Sequence, residues 1–376
     1  MDLGKFVGAV LMDLSKAFDC VPHDLLIAKM HAYGFDSNTL TFFYSYPKNR
    51  KQSVKINNTL SSFMVLVSRV PQGSILGPIF FNLFTNDLIY FIKNAEIINY
   101  ADDNTISANA DTIEELIQKL QTESKHAIQW FTDNAMIVNP DKFKAILINR
   151  FGKGNKEETL ILDRSTKIKT ENSVTLLGIQ LDNNLQFKDH IDELTQRAAG
   201  QLNYLCRQKR YLNQESKKIL VESFVLANFN YCPLVWHFCS CDLMNKQENL
   251  QKRALRFIYD DYDSSYEHLL AQSNKPTLEV RKLRLLSTEI FKTLNDINPV
   301  YMKEIFTLNA RESSRGNLLQ VKAQKSKRYG TDTLRSLGPK IWNNLLLEYR
   351  NTNKLSLFKK LINTWSGPSC KCNKCK

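Results

Sequence analysis

Two adjacent carboxylates, Asp102 and Asp103, stand inside the apolar, strand-like stretch Ile97-Ile98-Asn99-Tyr100-Ala101-Asp102-Asp103-Asn104-Thr105-Ile106. Like charges set side by side in such a segment are costly unless cations neutralise them, so the pair calls for a metal ion. A plain Asp-Asp-Asn turn is the simpler alternative, because both residue types are ordinary turn formers. The flanking β-branched runs predict a hairpin whose turn carries the acids. A third carboxylate, Asp13, ends the apolar run Val7-Gly8-Ala9-Val10-Leu11-Met12-Asp13, which reads as a buried strand. Strand neighbours would bring Asp13 to the hairpin. Oxygen ligands without a nearby His or Cys suit Mg²⁺, which takes carboxylates together with substrate phosphates. Two such ions can clamp an in-line phosphoryl displacement.

The surrounding segments must position these acids. Pro22 to Met30 reads as a turn feeding a helix, with Asp24 near its start. Between the acids lies Val70-Pro71-Gln72-Gly73-Ser74-Ile75-Leu76-Gly77-Pro78, whose glycines permit close backbone approach, and the apolar run beyond Pro78 predicts a buried helix. Asp111-Thr112-Ile113-Glu114 has capping-box spacing, followed by the helical stripe Ile113, Leu116, Ile117, Leu120, Ala127, Ile128 and Phe131. Met136 to Ile148 reads as a turn and a strand. Ser173 to Asp182 reads as a short apolar strand interrupted by Gly178, with a bend there. Helices follow: Ile191, Leu194, Ala198, Leu202 and Leu205 recur at helical spacing, and from about Gln214 a further helix sets Ile219, Leu220, Phe224 and Ala227 on one side.

The order Leu11-Met12-Asp13-Leu14-Ser15-Lys16-Ala17-Phe18-Asp19, Pro71-Gln72-Gly73-Ser74-Ile75-Leu76-Gly77-Pro78 and Tyr100-Ala101-Asp102-Asp103 resembles the reverse transcriptases of non-LTR retrotransposons, the jockey-like branch. That resemblance implies an α+β fold: a polymerase palm of antiparallel sheet and packed helices, then a helical thumb and a basic C-terminal module. It implies RNA-directed DNA synthesis, with two Mg²⁺ ions, an RNA template, a DNA primer or target, and deoxynucleoside triphosphates. Asp13 and Asp102 resemble the two metal-holding carboxylates, and Asp103 the accessory acid beside them. Phe18 matches the gate against a 2′-hydroxyl, although alone it would read as a core aromatic. Leu14 to Phe18 resembles the segment under the triphosphate, and Gln72 and Gly73 the pair touching the nascent base pair. Lys142 fits the Asn-x-x-Lys lysine suggested to protonate pyrophosphate, with Lys144 a surface competitor. Leu177 and Gly178 fall in the primer grip. The resemblance implies an upstream fingers segment and endonuclease, which this sequence does not carry, and Arg69 and Pro47 depart from the family's usual glycine and leucine.

Charge is distributed unevenly. Residues 251–376 hold 24 Lys and Arg against 11 Asp and Glu, so the whole formal charge of +13 falls there. Arg281, Lys282 and Arg284 among leucines, and Lys322, Lys325, Lys327 and Arg328 before Tyr329, read as a nucleic-acid track. The alternative to catalysis is accordingly a retroelement remnant that binds nucleic acid through this basic third. Cys20, Cys206, Cys232, Cys239 and Cys241 are scattered and expected to be reduced. Cys370, Cys372 and Cys375 are a candidate Zn²⁺ group that lacks a fourth ligand, for which only the distant His237 offers itself. There is no membrane-length apolar run and no signal core. The expectation is an intracellular protein, nuclear during integration, divided as palm 1–190, thumb-like 191–310 and basic module 311–376, with Trp342 and Trp365 as core anchors.

Overall fold

The computed structural model describes residues 4–14, 16–46, 48, 50–65, 68, 73–148, 158–162, 166–309, 318–322 and 333–367. Arg69, Gln72, Pro47, the 311–316 stretch, Lys325 to Tyr329 and the terminal cysteine group lie outside them. The chain packs as two compact units, the first ending at Leu185 and the second beginning at Gln186.

The first unit is built around the strand that the Val7–Asp13 run predicts. This strand, β1 (Phe6–Asp13), is followed by helices α1 (His23–Ala32), α2 (Ser37–Ser45) and α3 (Leu76–Thr85). The hairpin β2 (Glu96–Tyr100) and β3 (Asp103–Ala110) leads into α4 (Ile113–Asp133), and β4 (Lys144–Ile148) completes a four-stranded antiparallel sheet of order β2-β3-β1-β4. β1 thus has a partner on both edges.

Along β1, Gly8, Val10 and Met12 are buried, alternating with partly exposed neighbours as a pleated strand requires. Gly8 serves close packing: a methyl there would meet Leu147 Cδ2 at 2.8 Å and Leu120 Cδ1 at 2.9 Å. α4 contributes Leu116, Leu120, Ala127, Trp130 and Phe131 to the core, and α3 adds Phe80, Phe81 and Phe84. The cap of α4 is Thr112, whose Oγ1 accepts from Glu115 N at 3.2 Å, one residue later than the Asp111 expected. Lys29 of α1 is buried, with its Nζ 2.7 Å from Asp87 Oδ1, 2.9 Å from the Phe84 carbonyl and over the Trp130 ring. It ties α1 to α3.

Beyond β4, the predicted bent strand is two strands, β5 (Ser173–Leu176) and β6 (Ile179–Asp182), joined by a two-residue turn. Leu177 and Gly178 both have positive φ, 47° and 78°, which reverses the chain within those two residues.

The second unit, described by itself, is helical: α5 (Lys188–Arg207), α6 (Gln214–Leu220), α7 (Cys241–Tyr259), α8 (Tyr266–Ser273), α9 (Leu278–Leu294), α10 (Leu334–Asn344) and α11 (Leu355–Ile362). The α5 stripe is buried where periodicity placed it. The following segment is not. α6 runs into a π turn at Val221–Val225, and the buried residues are Val221, Val225, Leu226 and Phe229, whereas Ile219 and Phe224 are 58% and 55% exposed. The wider turn rotates the inward face away from a regular helical register. α9, α10 and α11 share a core in which Phe358 stacks on Phe291 at 4.4 Å and on Trp342 at 6.0 Å. Trp342 is buried and Trp365 packs at its margin, as anchors. The described cysteines form no disulfide, and no helix among the described residues is long and apolar enough to cross a membrane.

Candidate active site

Pairing of β1 with β3 sets Asp13 directly opposite Asp103, and pairing of β2 with β3 sets Tyr100 opposite Asp103. The turn between is therefore Ala101-Asp102. Ala101 has φ 53°, a conformation that a non-glycine residue adopts at some energetic cost. Asn104 steadies this turn: it is buried, and its Nδ2 donates to the Asp102 carbonyl at 2.9 Å. The acids are thus held by backbone pairing and a buried amide.

The three charges act on one another. Partial desolvation, then the neighbouring Asp102 and Asp13 carboxylates, push the Asp103 carboxyl above its ordinary range. A raised acid contributes stability below its unfolded pKa and loses it as pH rises through the folded value. Asp103→Asn is therefore expected to raise the unfolding midpoint at pH 7, the gain vanishing below about pH 4. Urea unfolding at the two pH values checks this. An unchanged or lowered midpoint at pH 7 would contradict the repulsion.

Lys142 Nζ lies 3.0 Å from Asp13 Oδ2, while Lys144 turns to Glu171 at 3.5 Å. Between the two lysines that the sequence left in competition, Lys142 faces the aspartates. Asp13, Asp103, Thr105, Lys142, Lys144 and Leu177 border an open hollow of about 190 Å³. Asp102 stands beside it in the turn. Gly178 follows Leu177 at the tip of the β5–β6 hairpin. Leu14 is buried and bridges Val138, and it does not border the hollow. Phe18 is half-buried with its ring 4.5 Å from Phe81, a packing contact that fixes its position. Gly73 has φ 77° in open space, which suits glycine. Gln72 lies outside the described residues.

Among the described residues no group of three His, Cys, Asp or Glu side chains forms a cage for a metal ion. The donor chemistry still fits Mg²⁺, which is bound by one or two carboxylates and completed by water and phosphate oxygens. The mutual repulsion at Asp103 marks the excess negative charge such an ion would offset. His237 is buried, and burial followed by the Lys282 charge lowers its pKa to about 4; the imidazole is therefore neutral, and it is the nearby ammonium and the burial, not protonation, that oppose a zinc ion there.

One residue that anchors the hairpin's base went unread in the sequence. Glu123 of α4 has a fully buried side chain, and its carboxylate accepts from Lys93 N at 3.0 Å and from Asn94 N and Nδ2 at 3.1 and 2.9 Å. It thereby anchors the chain just before β2. Burial alone would raise its carboxyl, but these hydrogen bonds hold it below the usual range. The available signal was a charge on the inward face of the α4 stripe, between Leu120 and Ala127. Glu123→Gln is expected to cost about 2 kcal/mol. The wild-type contribution is present above the unfolded pKa and lost as pH falls through the folded one. Urea unfolding at pH 7 and pH 3 checks both, and an equal cost at the two pH values would contradict it.

Residues 2–181 match the family described as reverse transcriptase (RNA-dependent DNA polymerase). The first unit is a reverse transcriptase domain. The relatives place it more narrowly: the chain is 29% identical over 271 residues to the probable RNA-directed DNA polymerase from transposon BS of Drosophila melanogaster, covering 68% of this chain and 29% of that protein. It is 24% identical over 264 residues to the RNA-directed DNA polymerase from mobile element jockey of Drosophila funebris, covering 68% and 28%. The domain is of the kind found in non-LTR retrotransposons. The chain spans less than a third of the length of these relatives. Among solved structures, telomerase from Candida tropicalis in complex with a telomeric RNA fragment matches at TM-score 0.36 and 10% identity, over 74% of this chain and 46% of that one.

Proposed function

We propose that this chain catalyses RNA-templated DNA synthesis, with residues 1–190 as palm, 191–310 as a thumb-like region and 311–376 as a basic module. The observation that carries the reading is the strand register that sets Asp13 against Asp103, with Lys142 3.0 Å from Asp13. The primer 3′-hydroxyl loses its proton to solvent and attacks the α-phosphate of a deoxynucleoside triphosphate; a P–O bond forms there as the bond to the β-phosphate breaks, and pyrophosphate leaves. Asp13 and Asp102, with Asp103 beside them, would hold two Mg²⁺ ions, whose charge when bound favours the ionised nucleophile and offsets the charge of the departing pyrophosphate.

The chain's own residues do the positioning. Lys142 holds the Asp13 carboxylate until substrate arrives and then donates a proton to the leaving oxygen. Backbone from Leu14 to Phe18 lies under the triphosphate, and the Phe18 ring, steadied by Phe81, excludes a ribose 2′-hydroxyl by bulk. Gln72 and Gly73 floor the nascent base pair, and the Leu177-Gly178 turn grips the primer. Template RNA and primer DNA are the partners.

Primer extension on an RNA template with Mg²⁺ tests this, with Asp102→Ala as control. Template-directed lengthening that the control loses supports it. The basic excess of residues 251–376 favours a second reading, nucleic-acid binding without synthesis. Salt-dependent binding with no extension would select that reading and overturn the first.

A further inference from the structure

The basic run on α9 does not act as one stripe. Lys282 points inward: it is 3% exposed, donates to Gln247 and lies 4.4 Å from the centre of the Trp236 ring. Arg281 and Arg284 face the other way, into a hollow of about 370 Å³ that they line with Lys275 and Lys359. No lining residue among those described is acidic. Leu226, Pro276, Leu285 and Ile362 add apolar surface to the lining of the same hollow. Its volume falls in the ~300–1,000 Å³ range of small-molecule sites.

The cations differ in what satisfies them. Arg284 Nε donates to the Trp365 carbonyl at 2.8 Å, and Lys275 pairs with Glu222 at 2.7 Å. Arg281 makes no side-chain hydrogen bond or close ion pair among the described residues, although Glu222 acts on it through space. A guanidinium drawn part-way out of water without a partner is costly. Burial lowers its pKa, which is the same cost seen as protonation. An anion in the hollow would remove that cost. Guanidinium forks match phosphate oxygens, and several cations around one hollow favour a group carrying more charge than a carboxylate.

We infer that this hollow holds one nucleotide of a nucleic-acid strand, its phosphate against Arg281 and Arg284 and its sugar or base against Leu226, Leu285 and Ile362. The inference rests on the proposed nucleic-acid partner and adds a discrete anchor in the second unit, within the part of the chain that carries the net positive charge.

Fluorescence anisotropy with a short single-stranded RNA, without nucleotides so that no synthesis occurs, tests it on the full chain. Arg281→Gln is expected to weaken binding about 10-fold and to reduce the slope of log K against log salt by about 0.7, the loss of one phosphate contact. Arg281→Lys should recover part of the affinity. Lys340→Gln removes the same charge from an exposed position on α10 and should change binding less than twofold. Thermal midpoints of Arg281→Gln at or above wild type support an unpaired cation; a large drop would mark it as structural and overturn the proposal. Equal losses in Arg281→Gln and Lys340→Gln would overturn the hollow while leaving nucleic-acid binding intact. No binding by wild type would overturn both the anchor and the nucleic-acid partner. Stabilisation by inorganic phosphate that Arg281→Gln abolishes, with oligonucleotide affinity unchanged, would identify free phosphate as the occupant and overturn the strand.

Discussion

Asp13→Asn is expected to reduce RNA-templated primer extension about 10³-fold, equivalent to about 4 kcal/mol of transition-state stabilisation, while the protein remains folded. Asp13 closes the central strand at the point where the sheet register delivers it to Asp103, so an isosteric amide preserves the backbone and removes only charge. Its ion pair with Lys142 is largely exposed, at 36% and 56%, and contributes below about 1 kcal/mol to stability. Rate and folding therefore separate. Single-turnover extension measured alongside urea unfolding would show a large loss in the first and little change in the second. Equal extension by wild type and variant would remove Asp13 from the chemistry.

The second large effect concerns two lysines two residues apart. Lys142→Gln is expected to lower the single-turnover rate about 10²-fold, the lower end for loss of a general acid, whereas Lys144→Gln should leave it within about threefold. The 3.0 Å contact to Asp13 places one ammonium at the aspartates, and the contact to Glu171 turns the other aside. A pH–rate profile discriminates a proton donor from a mere counter-charge: a general acid here predicts a fall in the wild-type rate at high pH that is absent in Lys142→Gln. Equal rates for the two variants, or an unchanged profile, would assign Lys142 to the surface.

What the sequence disclosed and withheld follows from how local each signal is. The hairpin around Asp102, the strand ending at Asp13 and the helix of Ile113 to Phe131 are legible because apolar periodicity and turn chemistry operate within a few residues. The direction of a side chain depends on partners far away in the chain. Lys142 and Lys144 differ only through Asp13 and Glu171, and Arg281, Lys282 and Arg284 read as one basic cluster until the helix sends Lys282 into the core. The π turn after α6 shows the limit of periodicity itself, since it carries the inward face to Val225 and leaves Phe224 exposed, while Ile219, before the turn, lies on the side of α6 away from the buried Lys217 and Val221. Glu123 was visible as an anomaly, a charge on an apolar face, but its partners Lys93 and Asn94 lie thirty residues upstream. Leu177-Gly178 illustrates the same point in backbone terms: glycine announced a bend, and cross-strand pairing made the bend a hairpin.

The proposed nucleotidyl transfer is assigned to the first unit. Incorporation of one templated deoxynucleotide by wild type and Asp102→Ala, at concentrations where both are saturated with the same RNA–DNA duplex in Mg²⁺, tests it most directly. Wild type is expected to incorporate the complementary nucleotide and the variant to lose this by at least about 10³-fold. Incorporation by neither protein, or equally by both, would contradict it.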